Sequence, residues 1–416
     1  MKATALDTIR VREYPNLLFV EVRTDDGIIG LGETFMGSEA VSAYLHESVA
    51  PVLLGQDPSR LEHWSRVLSG YLGRGSSGVE TRGNSALDLA LWDILGQATG
   101  QPLYVLLGGR TREHVRIYNT CAGPRYIRER PQQSVANWGL QDDAAERYDD
   151  LRGFLERPGE LAEELLSEGV TGMKIWPFDI AAEAHGGAHL TAAEMDQALA
   201  PLREIRAAVG DRMDLMLELH SLWSLPAARE IARAVQEFEP FWLEDPLDLG
   251  NVRAAVTLAG STPLTIAGGE ALADRNRFRE LLDRGVLGVL ILDLSWAGGL
   301  TQARKIAGIA DSYTVPVAPH DCTGPVVLTA STHLSVSVPN PILQETVRAF
   351  YRGWYRDLVT DLPPIEKGVI RPTEAPGLGT RLQPDVRSRA DTVTVSSRLE
   401  NGELVRRELA GGLTGR

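Results

Sequence analysis

The chain contains few cysteines and no long apolar run. Its 416 residues include two cysteines, Cys121 and Cys322, which are far apart in the sequence. Because two such cysteines do not make a disulfide framework, we expect a reducing environment. The N-terminus lacks the apolar core of a signal peptide, and no run of about 18 apolar residues suits a membrane span. The sequence therefore predicts a cytoplasmic protein that does not cross a membrane.

Positive charge is scarce relative to negative charge. The chain has 42 Lys and Arg against 56 Asp and Glu, which gives a formal net charge of −14. Phosphate backbones and anionic membrane surfaces repel such a chain, so nucleic acid and membrane are excluded as partners. An anionic small molecule is not excluded, because a bound metal ion can reverse the local field.

The first part of the chain has the pattern of an α+β module. Residues 17–24 and 28–33 alternate like two strands around an Asp-Gly turn, which predicts a hairpin. Residues 84–99 carry apolar side chains at three- and four-residue steps, and Gly100 suits the end of that helix. Strands followed by helices predict a separate module over residues 1–113.

From residue 114 the pattern changes to strands that alternate with helices. Amphipathic segments such as 191–209, 226–238 and 300–313 separate the strands. Eight strand–helix repeats predict a closed parallel (β/α)8 barrel over residues 114–349, with functional side chains at the carboxyl ends of its strands. The predicted strands are residues 115–119, 170–175, 214–218, 241–244, 264–267, 286–293, 315–319 and 342–345.

Three glutamates end three successive apolar runs. Glu218, Glu244 and Glu270 follow one another at equal intervals of 26 residues. That interval is about the length of one strand, one helix and two short loops of a barrel. Three carboxylates at one barrel mouth repel one another unless a cation lies among them. All-oxygen ligation favours Mg²⁺, with Mn²⁺ or Ca²⁺ as alternatives. The competing interpretation, that these are merely solvated loop acids, does not explain their equal spacing.

Other predicted strand ends also carry reactive side chains, and three of them follow Glu270 in successive steps of 23, 27 and 25 residues, at Asp293, His320 and Glu345. Each step matches one barrel unit, so we expect the strand-end side chains to converge on the same mouth. They are Lys174 after the second strand, His220 after the third, Asp293 after the sixth, His320 after the seventh and Glu345 at the eighth.

Several short motifs occur in a fixed order along nearly the whole chain. They are SALDLALWDI at 85–94, PLYVLLGG at 102–109, LEDP at 243–246, GE at 269–270, AGG at 297–299, PH at 319–320 and PGLG at 376–379. Each motif is weak alone, but the ordered set resembles the enolase superfamily in its mandelate-racemase-like branch. The resemblance implies a TIM-like α/β barrel, a capping domain built from residues 1–113 and the C-terminal segment 350–416, and an even-numbered homo-oligomer.

The resemblance also implies chemistry on the carbon next to a carboxylate. A metal ion held by the three glutamates would bind the substrate carboxylate and take up the charge of an enediolate. His320 would be the base, with Asp293 fixing its tautomer. Glu345 would hydrogen-bond the substrate, or would simply form an ion pair at the barrel end. Lys174 would contact the substrate carboxylate electrostatically.

Two departures from the racemase pattern decide the reaction class. Racemases of the family typically carry Lys-x-Lys after the second strand, but here Trp176 replaces the second lysine, and an indole cannot transfer a proton. Glu218-Leu219-His220 matches the acid-x-His pattern of the acid-sugar dehydratases, in which the histidine protonates the leaving hydroxyl. Since positions two apart share a strand face, we expect His220 near the metal ligand.

The sequence thus predicts a Mg²⁺-dependent dehydratase of an aldonic or aldaric acid that forms a 2-keto-3-deoxy acid. An alternative is a racemase or epimerase that uses His320 and His220 as two bases, and another is a non-catalytic acid-sugar-binding protein. Predicted substrate contacts come from surrounding loops. They are Thr34 in residues 32–36, Arg82 in residues 74–82, Trp176, and the polar segment 123–150, which is a lid or disordered, whereas His185 and His189 are interpreted as surface residues.

Overall fold

The structure is a computed structural model that describes residues 1–68, 77–128, 134–140 and 147–410. Its strands are β1 (Ala3–Val11), β2 (Leu17–Thr24), β3 (Ile29–Phe35), β4 (Val115–Thr120), β5 (Gly172–Ile175), β6 (Asp214–Glu218), β7 (Trp242–Glu244), β8 (Ile266–Gly268), β9 (Val289–Leu292), β10 (Val317–Pro319), β11 (Gln344–Thr346), β12 (Ile365–Glu366), β13 (Val369–Ile370), β14 (Thr392–Glu400) and β15 (Glu403–Ala410). Its α-helices are α1 (Ser38–Tyr44), α2 (Ala50–Leu53), α3 (Leu61–Leu68), α4 (Val79–Thr99), α5 (Leu103–Leu106), α6 (Asp150–Glu156), α7 (Pro158–Ser167), α8 (Asp179–His185), α9 (Ala192–Val209), α10 (Leu225–Val235), α11 (Val252–Ala259), α12 (Arg275–Asp283), α13 (Gly299–Ser312), α14 (Pro325–Ser337), α15 (Arg348–Tyr351) and α16 (Tyr355–Leu358). Within these residues, no helix combines the length and the apolar character needed to cross a membrane.

An antiparallel sheet joins the two ends of the chain. Its strand order is β15-β14-β1-β2-β3, so the C-terminal hairpin extends the sheet formed by the N-terminal strands. The predicted hairpin β2–β3 turns at Asp26-Gly27, where Gly27 has the positive φ of 83° that this turn requires. Residues 403–410 form strand β15, which pairs with β14 as a hairpin.

Helix α4 packs against strand β3 of this sheet at very short range. A Cβ atom on Gly30 would lie 2.1 Å from the carbonyl oxygen of Ala90, and one on Gly32 would lie 1.8 Å from that of Ala86. Only glycine at these strand positions permits this approach. The motif at 85–94 therefore packs against the cap sheet, and the helix ends as predicted at Gly100, with φ 67°.

The barrel predicted from the strand–helix alternation is confirmed. Strands β4 to β10 pair side by side, in parallel and in chain order, and β11 pairs with β4. The segment before β11 bonds to β10, because the Ile342 N–H donates to the Val317 carbonyl at 3.0 Å, and this closes the ring. One buried cluster takes side chains from the barrel strands and fills the interior, namely Tyr118, Met216, Trp242, Ala267, Val289, Ile291, Ala318 and Leu343.

Element boundaries differ by a few residues from the predicted ones. The predicted strand 286–293 is shorter, since β9 covers Val289–Leu292, although Val286 and Leu287 before it are also buried. Apolar character marks burial and does not distinguish a strand from the buried loop that leads into it. Helix α9 begins one residue after the predicted start at 191, because Thr191 is its N-cap and forms a reciprocal capping box with Glu194.

Polar side chains of the cap hold the ends of barrel helices. Asp88 on α4 accepts the Thr301 N–H of α13 at 2.9 Å, and Ser85 accepts the Gly298 N–H at 2.9 Å. The short hairpin β12–β13 instead pairs with β4 of the barrel, so part of the segment 350–416 lies on the barrel. The domain boundaries at 113 and 349 stay predictions.

Candidate active site

The three glutamates meet at the carboxyl ends of neighbouring barrel strands. Glu218 ends β6, Glu244 ends β7, and Glu270 lies two residues after β8. One carboxylate oxygen from each lies within 4.8 Å of the others. Burial raises the pKa of Glu244 to about 8, and the nearby Lys174 ammonium opposes that effect. Three converging carboxylates are a hard oxygen donor set, which fits a divalent ion of the Mg²⁺ type.

Backbone contacts orient two of these carboxylates. The Oε1 atom of Glu218 accepts the N–H groups of Leu219 at 3.0 Å and His220 at 2.7 Å. Asp245, in the motif at 243–246, accepts the Gly269 N–H at 3.1 Å and so holds the loop that carries Glu270. Asp245 of this motif therefore acts locally, by fixing the turn from which Glu270 projects.

Lys174 is buried among carboxylates. Its Nζ atom lies 2.6 Å from Glu244 Oε1, 3.1 Å from Glu345 Oε1 and 3.3 Å from Glu218 Oε2. Sequence reasoning placed this lysine against the substrate and missed its pairing with two predicted metal ligands. The pairing offsets part of the negative charge that would otherwise be buried at this mouth without a partner.

His320 follows β10 and contacts a carboxylate on each side of its ring. Its Nδ1 atom lies 2.7 Å from Asp293 Oδ2, and its Nε2 atom lies 3.2 Å from Glu270 Oε2. Asp293 is fixed in turn, because Ser295 donates its N–H at 2.6 Å and its hydroxyl at 2.5 Å to Oδ1. Burial alone would lower the pKa of His320, but Glu270 and the other carboxylates hold it well above its ordinary value.

His220 has a similar environment after β6. Its Nδ1 atom lies 2.8 Å from Oδ2 of Asp179, a buried residue at the start of α8. Burial would lower the pKa of His220, but the Asp179 and Glu218 carboxylates raise it to about 9. No sequence signal identified Asp179, because it follows a loop of irregular length rather than a strand end. His220 lies beside Glu218, but not through a shared strand face, since the strand ends at Glu218 and His220 has a left-handed φ of 48°.

A cavity opens above these groups. Among the predicted substrate contacts, Trp176 lines it. Thr34 is buried elsewhere and donates its hydroxyl to the Ser295 carbonyl at 3.0 Å. Arg82 donates to the Phe35 carbonyl, and its guanidinium lies 4.6 Å from the ring centre of Trp296. The contacts of Arg82 thus support Phe35 and Trp296, which line the cavity. The described lining is Phe35, Met36, Thr120, Tyr126, Ile127, Lys174, Trp176, Glu218, His220, Glu270, Trp296, His320, Cys322 and Glu345.

Two predicted loops lie partly outside the described residues. The structure does not describe residues 74–76 of the loop at 74–82. It also does not describe residues 129–133 and 141–146 of the segment 123–150. The described remainder of the second loop packs over the cavity wall, where Trp138 contacts Trp176 edge to face at 6.5 Å. His185 bonds Glu194 at 2.7 Å and stacks near His189, which gives both histidines local partners.

Comparison with known families agrees with this fold. The model described as enolase C-terminal domain-like matches residues 158–386, and the model of the mandelate racemase/muconate lactonizing enzyme N-terminal domain matches residues 4–108. A barrel with a cap of this kind and acidic strand ends defines the enolase superfamily. The chain belongs to its mandelate racemase/muconate lactonizing enzyme family.

Relatives cover almost the whole chain. A D-galactonate dehydratase from Ralstonia nicotianae is 33% identical over 387 residues, which is 91% of each protein. The solved structure of an enolase of the mandelate racemase subgroup from Agrobacterium tumefaciens is 45% identical, with a TM-score of 0.84 over 96% of this chain and 99% of that one. An enolase structure from Sargasso Sea environmental sequencing is 42% identical, with a TM-score of 0.85 over 95% and 99%.

Proposed function

We propose that this protein is a divalent-metal-dependent dehydratase of an acid sugar, an aldonate or aldarate, and that it forms a 2-keto-3-deoxy acid. The observation that carries the proposal is a pair of imidazoles in one cavity, His220 and His320, each with a carboxylate at Nδ1. They follow the third and seventh strands of an eight-stranded barrel, so they approach the cavity from opposite sides. The D-galactonate dehydratase relatives support the same reaction class.

Glu218, Glu244 and Glu270 would hold the ion, for which we propose Mg²⁺, with Mn²⁺ as the alternative. When bound, the ion supplies a Lewis acid that anchors the substrate carboxylate and lowers the cost of negative charge beside it. The donor set fits this ion, because all three groups are carboxylates that converge within 4.8 Å.

His320 removes the proton from C2. Its Nδ1–Asp293 bond leaves Nε2 as the proton-accepting nitrogen, and the Ser295 bonds hold Asp293 in place. Lys174 and Glu345 form an ion pair beside it, and we propose that this pair lies against the substrate carboxylate. The ammonium favours the ionised substrate, and Thr120 holds Glu345 through a hydroxyl bond.

His220 donates its proton to the 3-hydroxyl as the C3–O bond breaks. The electrons of the C2–H bond form the C2–C3 double bond, and the hydroxyl leaves as water with the proton from His220. The enol that remains tautomerises to the 2-keto-3-deoxy acid. General acid catalysis of a leaving hydroxyl contributes about 10²- to 10⁴-fold to such a step.

A racemase or epimerase is the second candidate. Two imidazoles on opposite sides of one cavity also suit proton removal by one and return by the other. Trp176 stands where racemases of the family have a second lysine, so this route would rest on His220 alone for the return. A non-catalytic acid-sugar-binding protein would need neither histidine. A homo-oligomer and a cytoplasmic location stay predictions.

The test is a screen of the purified protein with Mg²⁺ against aldonic and aldaric acids, with 2-keto acid detected by semicarbazide. A 2-keto acid product that disappears in the variant His320→Asn supports the dehydratase. Repeating the screen in D₂O detects the alternative. Deuterium at C2 without loss of water indicates a racemase or epimerase, and neither reaction with any acid contradicts both enzymatic proposals.

A further inference from the structure

Each of the two active-site histidines has an aspartate at its Nδ1 atom, and the sequence predicted only one of these two aspartates. Asp293 was expected beside His320, whereas Asp179 beside His220 emerges from the tertiary structure. We propose that Asp179 is a positioning residue for His220, which sets the ring for the elimination step. This inference rests on the proposed function, because it assigns Asp179 to the proton-donating half of that reaction.

The contacts of Asp179 favour this role over a general structural one. The residue is 3% exposed, and its Oδ2 atom lies 2.8 Å from His220 Nδ1. Its Oδ1 atom is buried and, within the described residues, has no hydrogen-bond partner. By contrast, the buried Asp150 bonds both Arg348 and Asn119, as a structural carboxylate does. A buried carboxylate directed at one imidazole fits an orienting partner.

A tryptophan restrains the same ring. The centroid of Trp176 lies 5.9 Å from that of His220, with an interplanar angle of 75°. Trp176 is itself held, because Tyr126, Trp138 and Phe154 pack around it at centroid distances of 5.0, 6.5 and 5.2 Å. The hydrogen bond at Nδ1 and the indole against the ring therefore restrict both the tautomer and the rotation of His220.

The same pair of supports occurs at His320. Asp293 bonds its Nδ1 atom, and the ring of Trp296 lies 5.3 Å away. In each case the aspartate and the tryptophan are three residues apart in the sequence, in opposite order along the chain. The segment after the second barrel strand, where racemases of the family carry a second base, here holds the histidine in the turn that follows the neighbouring strand.

The test compares the two halves of the reaction in full-length Asp179→Asn with Mg²⁺ and the acid identified by the screen. Asparagine keeps the size of the side chain but removes the charge and one acceptor. We expect 2-keto acid formation to fall about 10- to 100-fold in kcat, with little change in KM, whereas exchange of the C2 proton in D₂O continues. Asp293→Asn is the matched control, in which exchange and elimination should fall together. Asp179→Glu should recover part of the elimination.

A second measurement needs no substrate. In metal-free, ¹⁵N-labelled protein, the imidazole nitrogens of His220, assigned with His220→Gln, should indicate a proton on Nδ1, and Asp179→Asn should change that pattern. Unchanged elimination, or an equal loss of exchange and elimination with the His220 nitrogens unaltered, would overturn the proposal. Thermal unfolding of each variant identifies one that fails to fold. If no acid is converted but the His220 nitrogens respond as expected, the proposed function fails while the positioning contact stands.

Discussion

Glu33 of the cap sheet accepts the backbone N–H of Val327, in the first turn of barrel helix α14, at 3.1 Å. A second bond from the Val326 N–H, at 3.2 Å, completes the cap of this helix. Because α14 begins shortly after His320, this buried carboxylate connects the cap to the loop that carries the proposed base. Burial raises the pKa of Glu33 to about 8, while the two N–H donors lower it.

Replacing Glu33 should therefore weaken the join between cap and barrel. Glu33→Gln turns one acceptor into a donor that faces a backbone N–H, which leaves a buried group unsatisfied. We expect a loss of about 1–3 kcal/mol in the free energy of unfolding. Urea unfolding followed by circular dichroism measures it, with the exposed Glu39→Gln as the control. Equal stability of the two variants would mean that the cap bond contributes little.

The pH dependence of stability should show a contribution from His46. This buried histidine bonds Thr8 at 2.9 Å and Ser397 at 2.7 Å, and burial followed by Arg406 lowers its pKa to about 4. A histidine whose pKa is depressed in the folded state is protonated first in the unfolded chain. Stability is therefore unaffected above pH 6.5 and falls as pH decreases from there towards 4, by about 3 kcal/mol.

His46→Gln should flatten that decrease. Unfolding curves between pH 4 and 7.5 measure the slope for the wild type and for this variant. The matched control is His63→Gln, since His63 is exposed and should leave the wild-type slope unchanged. An identical slope for wild type and His46→Gln would show that the acid sensitivity arises elsewhere.

Removal of Lys174 should make the protein more dependent on the metal ion. In Lys174→Met, the carboxylates of Glu218, Glu244 and Glu345 lose their shared ammonium. Breaking a buried ion pair leaves an uncompensated charge and costs about 3–5 kcal/mol. We expect a lower melting temperature without Mg²⁺ and a larger rise on adding Mg²⁺ than in the wild type. A smaller rise would indicate that the lysine assists binding of the ion.

Loss of one of the three proposed metal-binding carboxylates should weaken binding of the ion. Glu270 is the most accessible of the three glutamates, so Glu270→Gln disturbs packing least. Mutation of a residue that hydrogen-bonds a metal ligand typically lowers metal affinity by about 10- to 100-fold. Loss of a ligand itself should therefore lower the affinity by at least about 100-fold. Isothermal titration with Mg²⁺ measures it, and Glu280→Gln on the exposed face of α12 is the control. Unaltered affinity would exclude Glu270 from the ligand set.

Variants of the proposed base and of the proposed acid should lose different partial reactions. His320→Asn should abolish both C2 proton exchange and formation of the 2-keto acid, because both begin with removal of that proton. His220→Asn should keep exchange and lose product by about 10²- to 10⁴-fold. Proton NMR in D₂O measures both reactions in one sample. Loss of exchange in His220→Asn would reverse the assignment or favour two-base chemistry.

Much of the barrel and of the candidate site was predictable because a barrel repeats. Successive strand ends recur at intervals of one strand–helix unit, so equal spacing in the sequence became proximity in space. Glu218 and Glu244 are register partners on neighbouring strands, as their interval predicted. The pairing of His320 with Asp293, one unit earlier, followed from the same periodicity.

Positions that depend on loop conformation were not predictable. The direction of His220 is set by a left-handed turn beyond the strand, which strand periodicity does not describe. Thr34 and Arg82 were expected to reach the substrate, but they bond the backbone carbonyls of Ser295 and Phe35. A sequence identifies a polar side chain on a loop, but which neighbour satisfies that side chain depends on the folded path of the chain.

The sequence by itself determined the barrel, the cap, the three converging carboxylates and the His320–Asp293 pair, because strand–helix periodicity and motif order are local properties of the chain. The tertiary structure alone decided that Lys174 pairs with the glutamates and that Asp179 meets His220, 41 residues away. Both contacts join largely buried, oppositely charged side chains that are distant in the sequence. Burial strengthens such pairs because it removes the water that would otherwise screen them.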